Sequence, residues 1–369
     1  MKDRNIRTSY PLLPPIEELT PYLEMIWKSG TITNNGEIEQ LFEKELSQFL
    51  KVDHISLVSS GTSALMLALH VLNLKGDVIT TPFSHISTAQ ALYWNRLTPV
   101  FADINNEDYN LDFQEVEKAI TSKTTAILPV HVFGNPCDND QFQTLAEKRG
   151  LKLIYDAAHC FGVEKENQSI LLDGDLSIVS FHATKTFNTI EGGAIICRDR
   201  KMKERIDALK NNGINPQFDN MGYGFNAKLN EIQAAYGLVM LRHIQKAIDK
   251  RKEIFNQYVQ LVSSIKGIRM VSQNPDIKYN YTYFPILIEP ELFGMTRDQL
   301  QDRFLQNGVL CKTYFDPLIT GYKFFHKFKT NPLTVAESIA SNILCIPMHH
   351  QLQDHEVSKI IAILKKMDE

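Results

Sequence analysis

The chain has 369 residues, 43% apolar and 22% charged, and five cysteines. That is enough to bury a large core and more than one core ordinarily serves, so two domains are expected. Its 39 basic and 43 acidic residues leave a formal charge of -4, which excludes a broad basic footprint for nucleic acid or an anionic membrane; any phosphate must be bound locally. No run approaches the ~20 apolar residues of a membrane span, and the first 15 residues lack the pattern of a secretory signal, so a cytoplasmic protein is expected. The cysteines are scattered without paired spacing and read as small buried hydrophobes, with no disulfide and no metal.

From residue 54 onward, short β-rich runs alternate with helical patterns. Strands are expected over 54–59, 77–81, 98–102, 125–130, 151–155, 176–181 and 194–197, with helices over 63–74 and 88–94 between them. Runs such as Leu153-Ile-Tyr155 are apolar without alternation, as strands covered on both faces must be. The fold class is therefore α/β with a mostly parallel sheet. Between 226 and 264, Leu229, Ile232, Ala235 and Val239 recur at helical spacing and lead into the charged run Asp249-Lys-Arg-Lys-Glu253, which reads as a rod leaving the first domain. Beyond Gly267 come a strand over 281–288, a helix opened by Thr296, a strand over 309–312 and a last helix from Gln353. These suit a smaller α+β domain, with a division at 1–250 and 251–369.

Three segments carry chemistry. Ser59-Ser-Gly-Thr-Ser63 lies where a strand passes into a helix; glycine lets the backbone approach an anion, and the N–H groups of the helix start complement a phosphate. Read alone, it is equally a helix cap. In Tyr155-Asp-Ala-Ala-His159, Asp156 ends an apolar strand, where α/β sheets place ligands and where a carboxylate requires a cationic partner. In Ser180-Phe-His-Ala-Thr-Lys185, followed by Glu191-Gly-Gly-Ala, a single lysine sits in a turn between two strands. Loss of hydration there lowers an ammonium pKa and suits the amine to Schiff-base chemistry. Each segment has a plain structural reading; their order within one parallel-sheet domain points to one site. The pair His349-His350 has no further spaced ligands and reads as surface histidines rather than a metal site.

These segments resemble the DegT-type sugar aminotransferases, over nearly the whole chain. The resemblance implies the aspartate-aminotransferase-like fold and pyridoxal 5'-phosphate as cofactor. Lys185 then matches the Schiff-base lysine, Asp156 the partner of the pyridine nitrogen, and His159 the residue beside the phenolic oxygen. Gly61, Thr62, Ser63 and Ser180 would hold the phosphate. Asn226, in Gly224-Phe-Asn226-Ala-Lys228, would reach the phosphate of a neighbouring subunit, which implies a homodimer with shared sites. Two positions depart from the family pattern: His85 stands where an aromatic ring usually stacks on the cofactor, with Phe83 as a packing residue, and Lys228 replaces an arginine.

The expected reaction moves an amino group from L-glutamate to a nucleotide-linked keto-deoxysugar, with dTDP-4-keto-6-deoxyglucose as the first candidate. Segments Ile32-Thr-Asn-Asn-Gly36 and Pro129-Val-His-Val-Phe-Gly-Asn-Pro-Cys-Asp138 carry that choice, although both also read as plain turns. Residues of Lys312-Thr-Tyr-Phe-Asp-Pro317 and the loop near Asn35 are candidate sugar contacts. A 3-keto sugar, or a GDP- or UDP-linked 4-keto sugar, stays open as acceptor, and so does a pyridoxal phosphate-binding regulatory protein. A related dehydrase would carry histidine in place of Lys185, and a dinucleotide-binding oxidoreductase would need spaced glycines that the first βα turn lacks.

Overall fold

The computed structural model describes residues 5–214 and 222–365. Its centre is a seven-stranded sheet with the order Ile55–Val58, Gly193–Cys197, Leu176–Ser180, Lys152–Asp156, Thr124–Leu128, Asp77–Thr80 and Thr98–Phe101. Gly193–Cys197 runs antiparallel to both neighbours, and every other adjacent pair is parallel. Successive side chains of a strand point to opposite faces. Ala126, Leu128 and Ile154 accordingly join a cluster with Leu65 and Leu92, whereas Ile127, Leu153 and Tyr155 join one with Phe142 and Leu145. Both faces are covered, which is why these strands show no polar alternation.

The register places Val58, Gly193, Ser180 and Asp156 along one end of the sheet. Helix Gly61–Val71 begins at the same end, opened by a reciprocal cap in which Ser60 and Ser63 each accept the other's backbone N–H. Helix Ser87–Trp94 starts after a turn that follows Asp77–Thr80. Three chain turns and two helix starts therefore converge above the carboxyl ends of the parallel strands.

The expected rod is a 32-residue helix, Glu231–Val262, capped by the Asn230 side chain on the Gln233 N–H at 2.9 Å. Up to Ile248 its buried side chains pack with Phe42 and Leu46; from Ile254 on they pack with Phe284, Phe304 and Leu344. A three-stranded antiparallel sheet, Ile268–Met270, Phe284–Ile288 and Ile343–Ile346, supports the second cluster. Ile6 packs in that cluster too, and its N–H and carbonyl pair with Gly308 and Leu310.

Several expectations change. Residues 309–312 form only isolated bridges, to Ile6 and to Cys345; the third strand of the small sheet is Ile343–Ile346, whose four residues leave little pattern to read. Ile232 faces outward at 40% exposure rather than into the core. Arg251, read as part of a charged run, is 2% exposed, and its Nη1 donates to the Met348 carbonyl at 3.0 Å. His349 is buried rather than superficial; burial, and then the charge of Arg251, lower its pKa to about 4. All five cysteines are buried.

The loop before helix Glu37–Leu50 is fixed from the distant rod. The Glu231 carboxylate accepts the Ile38 and Glu39 N–H groups at 2.9 and 3.1 Å. A Cβ on Gly36 would lie 2.7 Å from that carboxyl carbon, so only glycine admits the approach. With Glu231 1% exposed, removing it strands two buried donors. Glu231→Ala is expected to lower the unfolding free energy in urea by about 2–3 kcal/mol, and Glu231→Gln by less, because an amide oxygen still accepts one bond.

Candidate active site

Strand Leu176–Ser180, buried throughout, delivers the lysine turn. Hydrogen bonds from Phe181 N to the Gly192 carbonyl, and from Ala183 N to that of Ile190, close a loop whose tip carries Lys185; the Lys185 N–H donates to the His182 carbonyl at 2.9 Å. His182 Nδ1 accepts the Thr184 N–H at 3.2 Å, and its Nε2 lies 3.5 Å from Glu191 Oε1. The turn is thus tied on both sides of the lysine.

Lys185 faces a cavity of about 350 Å³. Gly61, Thr62, His85, Asp156, His159, Ser180 and Lys185 all line it. Gly61 and Gly193 let the helix start meet the strand ends: a Cβ on Gly61 would lie 2.8 Å from that of Ser180, and one on Gly193 would lie 2.9 Å from the Gly61 nitrogen. The first turn of an 11-residue helix and the Ser180 hydroxyl therefore share one corner, which suits an anion.

Two expected residues lie elsewhere. Ser63 is a capping residue: its hydroxyl accepts the Ser60 N–H and donates to the Ser60 carbonyl at 2.8 Å, so it is not directed at the cavity. Asn226 is exposed and bridges Asn211. Asn34, Asn35 and Lys228 line a separate hollow of about 640 Å³, where Lys228 donates to Asn211 Oδ1 at 2.7 Å.

Burial shapes the electrostatics. It lowers the Lys185 ammonium from 10.5 to about 8, against the attraction of Asp156. It also raises the Asp156 carboxyl, opposed by hydrogen bonds from the Thr88 hydroxyl and the Ala158 N–H. His159 is held well below its ordinary range by burial and then by Lys185, so its ring is neutral, and its Nδ1 is buried without a partner. His85 is lowered by burial and then by Lys185; its Nδ1 accepts the Ser87 N–H at 3.3 Å, and Ser87 Oγ meets Thr62 Oγ1 at 3.0 Å. A nucleophilic amine, an unpaired carboxyl and an anion corner in one dry cleft suit carbonyl chemistry on a phosphorylated aromatic ligand.

Residues beyond the long helix, Tyr283, Tyr314 and Phe315, also line the cavity. The Phe315 ring lies parallel to His159, centroids 6.3 Å apart, and parallel to Phe133 at 6.0 Å. Tyr314, Phe315, His182 and Glu191 fall within segments marked by sequence, though none has a role there beyond candidate sugar contact for the first two; Tyr283, Thr88 and Ser84 have no signal of their own. In the segment 129–138, Val130 reaches the cavity, while His131 is buried flat against Tyr155 at 4.6 Å and accepts the Cys137 N–H. Phe83 is fully buried beside Phe315, as a packing residue should be. Among the described residues, no group of three or more His, Cys, Asp or Glu is placed to hold a metal, and no helix is long and apolar enough to cross a membrane.

Known proteins resemble this chain in sequence and fold. A dTDP-4-amino-4,6-dideoxy-D-glucose transaminase of Escherichia coli is 44% identical over 369 residues, covering 99% of each chain, and one of Shigella dysenteriae is 42% identical, covering 99% of this chain and 100% of its own. The solved structure of DesI, determined in the presence of its TDP-sugar product, superposes with a TM-score of 0.93 at 30% identity, covering 98% of this chain and 92% of its own. That of Helicobacter pylori PseC, an aminotransferase of pseudoaminic acid biosynthesis, gives 0.91 at 29%, covering 98% and 99%. The sequence model of the DegT/DnrJ/EryC1/StrS aminotransferases matches residues 15–365, and the chain belongs to that family.

Proposed function

We propose that this aminotransferase binds pyridoxal 5'-phosphate in the Lys185 cavity and transfers an amino group from L-glutamate to dTDP-4-keto-6-deoxyglucose, working in the cytoplasm. The observation that carries the reading is the convergence of Lys185, Asp156 and His159 with the Gly61–Ser180 corner in one cavity. The fit to the cofactor rests on the groups that line the cavity. Asp156 is a buried carboxyl held by two hydrogen bonds and facing Lys185, His159 Nδ1 is a buried nitrogen without a partner, and the helix start suits an anion at the same end of the sheet.

Pyridoxal phosphate bound here would supply the electron sink for cleavage at the donor's α-carbon and carry the amino group to the acceptor. The chain's own residues do the rest. Gly61, Thr62 and Ser180 would hold the phosphate, Asp156 would pair with the ring nitrogen, and the neutral His159 ring, backed by Phe315, would lie beside the phenolic oxygen. With the cofactor bound, Lys185 Nζ would be the group that holds it, and as a free amine it would take the donor's α-proton and later return a proton to the sugar carbon. The aromatic wall of Tyr283, Tyr314 and Phe315 excludes water from these transfers. His85 borders the ring's place and is held in position by Ser87.

The thymidine-linked 4-keto sugar is supported by relatives 42–44% identical whose names specify it; a GDP-perosamine synthase of Escherichia coli O157:H7 is 28% identical. The test is NMR analysis of products from L-glutamate with dTDP-, GDP- and UDP-linked 4-keto sugars and a 3-keto sugar. Amination of the dTDP 4-keto sugar is expected, at a rate at least about 100-fold lower in Lys185→Ala; amination of none of them defeats the reading. The lysine's pKa of about 8 sets a second expectation. Only the free amine attacks, so reconstitution of the apoprotein should speed up about tenfold per pH unit below that value and level off above it. An ordinary lysine would keep gaining up to 10.5.

A homodimer with shared sites is part of the proposal. It is supported by exposed apolar side chains, among them Trp27 at 69%, Ile190 at 51% and Ile214 at 61%, and by exposed Asn226. If Asn226 serves the neighbouring subunit's phosphate, mixing Lys185→Ala with Asn226→Ala should restore activity that neither variant shows alone, since hybrid dimers contain one intact site. Light scattering reports the assembly; absence of complementation in a mixed dimer removes the shared-site arrangement.

A further inference from the structure

Thr88 is fully buried in the first turn of helix Ser87–Trp94, and Ser84 is 5% exposed just before it. The helix start has no side-chain cap, so neither hydroxyl is occupied in capping. Thr88 Oγ1 instead donates to Asp156 Oδ2 at 2.9 Å, and Ser84 Oγ lies 2.9 Å from Thr88 Oγ1. A hydroxyl has one proton. With that of Thr88 directed at the carboxylate, Ser84 is the donor to Thr88, and the three groups form a chain with a single direction. The other carboxylate oxygen accepts the Ala158 N–H at 3.2 Å.

Both oxygens of Asp156 are thus held by donors from different elements, which fixes the plane of the carboxylate. Donors also favour its ionised form, and in a site this dry each bond polarises the next. Burial acts the other way and favours the neutral acid. Without the relay, the balance moves toward a carboxyl group that keeps its own proton and offers no negative charge. The charged and titratable side chains coupled to Asp156 besides the relay are Lys185 and His85, which line the cavity, and the buried Cys160 thiol.

We propose that Ser84 and Thr88 are positioning residues that keep Asp156 ionised and aimed at the cofactor's ring nitrogen, so that they control cofactor affinity through that nitrogen alone. This rests on reading the cavity as a pyridoxal phosphate site. Neither side chain needs to touch the cofactor's phosphate or its carbonyl carbon for the effect.

The test is equilibrium dialysis of the apoprotein against two ligands: pyridoxal phosphate, and its deaza analogue in which C–H replaces the ring nitrogen. Thr88→Val keeps the shape and removes the hydroxyl. It is expected to weaken pyridoxal phosphate about tenfold while leaving the analogue's affinity unchanged. Thr88→Ser should restore the wild-type ratio of the two affinities, and Ser84→Ala should shift that ratio in the same direction by less. Equal losses for both ligands in Thr88→Val and Ser84→Ala, or no loss for either, would overturn the relay while leaving the cofactor reading intact. A wild-type chain that retains neither ligand would overturn the cofactor reading and this inference with it.

Discussion

Desolvation at the carboxyl end of the sheet is the constraint on which the site depends. Asp156 and Lys185 sit where the sheet excludes water, and burial pushes both toward their neutral forms, the acid upward and the ammonium down to about 8. Neither group is comfortable there without a ligand. The protein tolerates the arrangement because the carboxylate receives two hydrogen bonds and because the lysine turn is closed by backbone bonds across its neck. A cleft that keeps an amine partly unprotonated near neutrality and a carboxyl in want of a cation is prepared for ligand chemistry before any ligand arrives.

The same burial sorts the histidines. His159, His131 and His349 are all lowered, first by burial and, at His159 and His349, also by the cations Lys185 and Arg251. Only His159 combines that neutrality with a free nitrogen at the cavity. His131, stacked on Tyr155 beneath the sheet's end, braces the turn that brings Val130 to the cavity. A neutral imidazole can lie flat on a ring without carrying charge into it, which is the property the wall around His159 and Phe315 uses.

The chain beyond Val262 is tied to the site through the long helix. Arg251 lies midway along Glu231–Val262, and its guanidinium binds the carbonyl of Met348, with those of Tyr281 and Thr282 at 3.4 Å. Tyr283, the last residue before strand Phe284–Ile288, lines the cavity, so one buried cation links the rod, the small sheet and the aromatic wall. At the helix's other end Glu231 holds the first turn of helix Glu37–Leu50, just after Asn34 and Asn35. One helix therefore sets both the wall opposite Lys185 and the neighbouring hollow.

What sequence alone determined follows from local chemistry. Apolar runs without alternation meant strands covered on both faces, and the order of phosphate turn, strand-end Asp156 and turn-borne Lys185 indicated one site, because each residue type at a strand end has few reasons to be there. Tertiary structure decided what depends on contacts distant in the chain. It showed Ser63 committed to a cap, a neutral His349 and a charged Arg251 both buried, and 309–312 reduced to bridges, one of them to Cys345 of the edge strand Ile343–Ile346. Tyr283 and the Ser84–Thr88 relay were illegible for the same reason: a hydroxyl or a phenol near a helix start or in a strand has no pattern of its own. Its meaning comes from Asp156, 68 residues from Thr88, which only the closed sheet brings within hydrogen-bond distance.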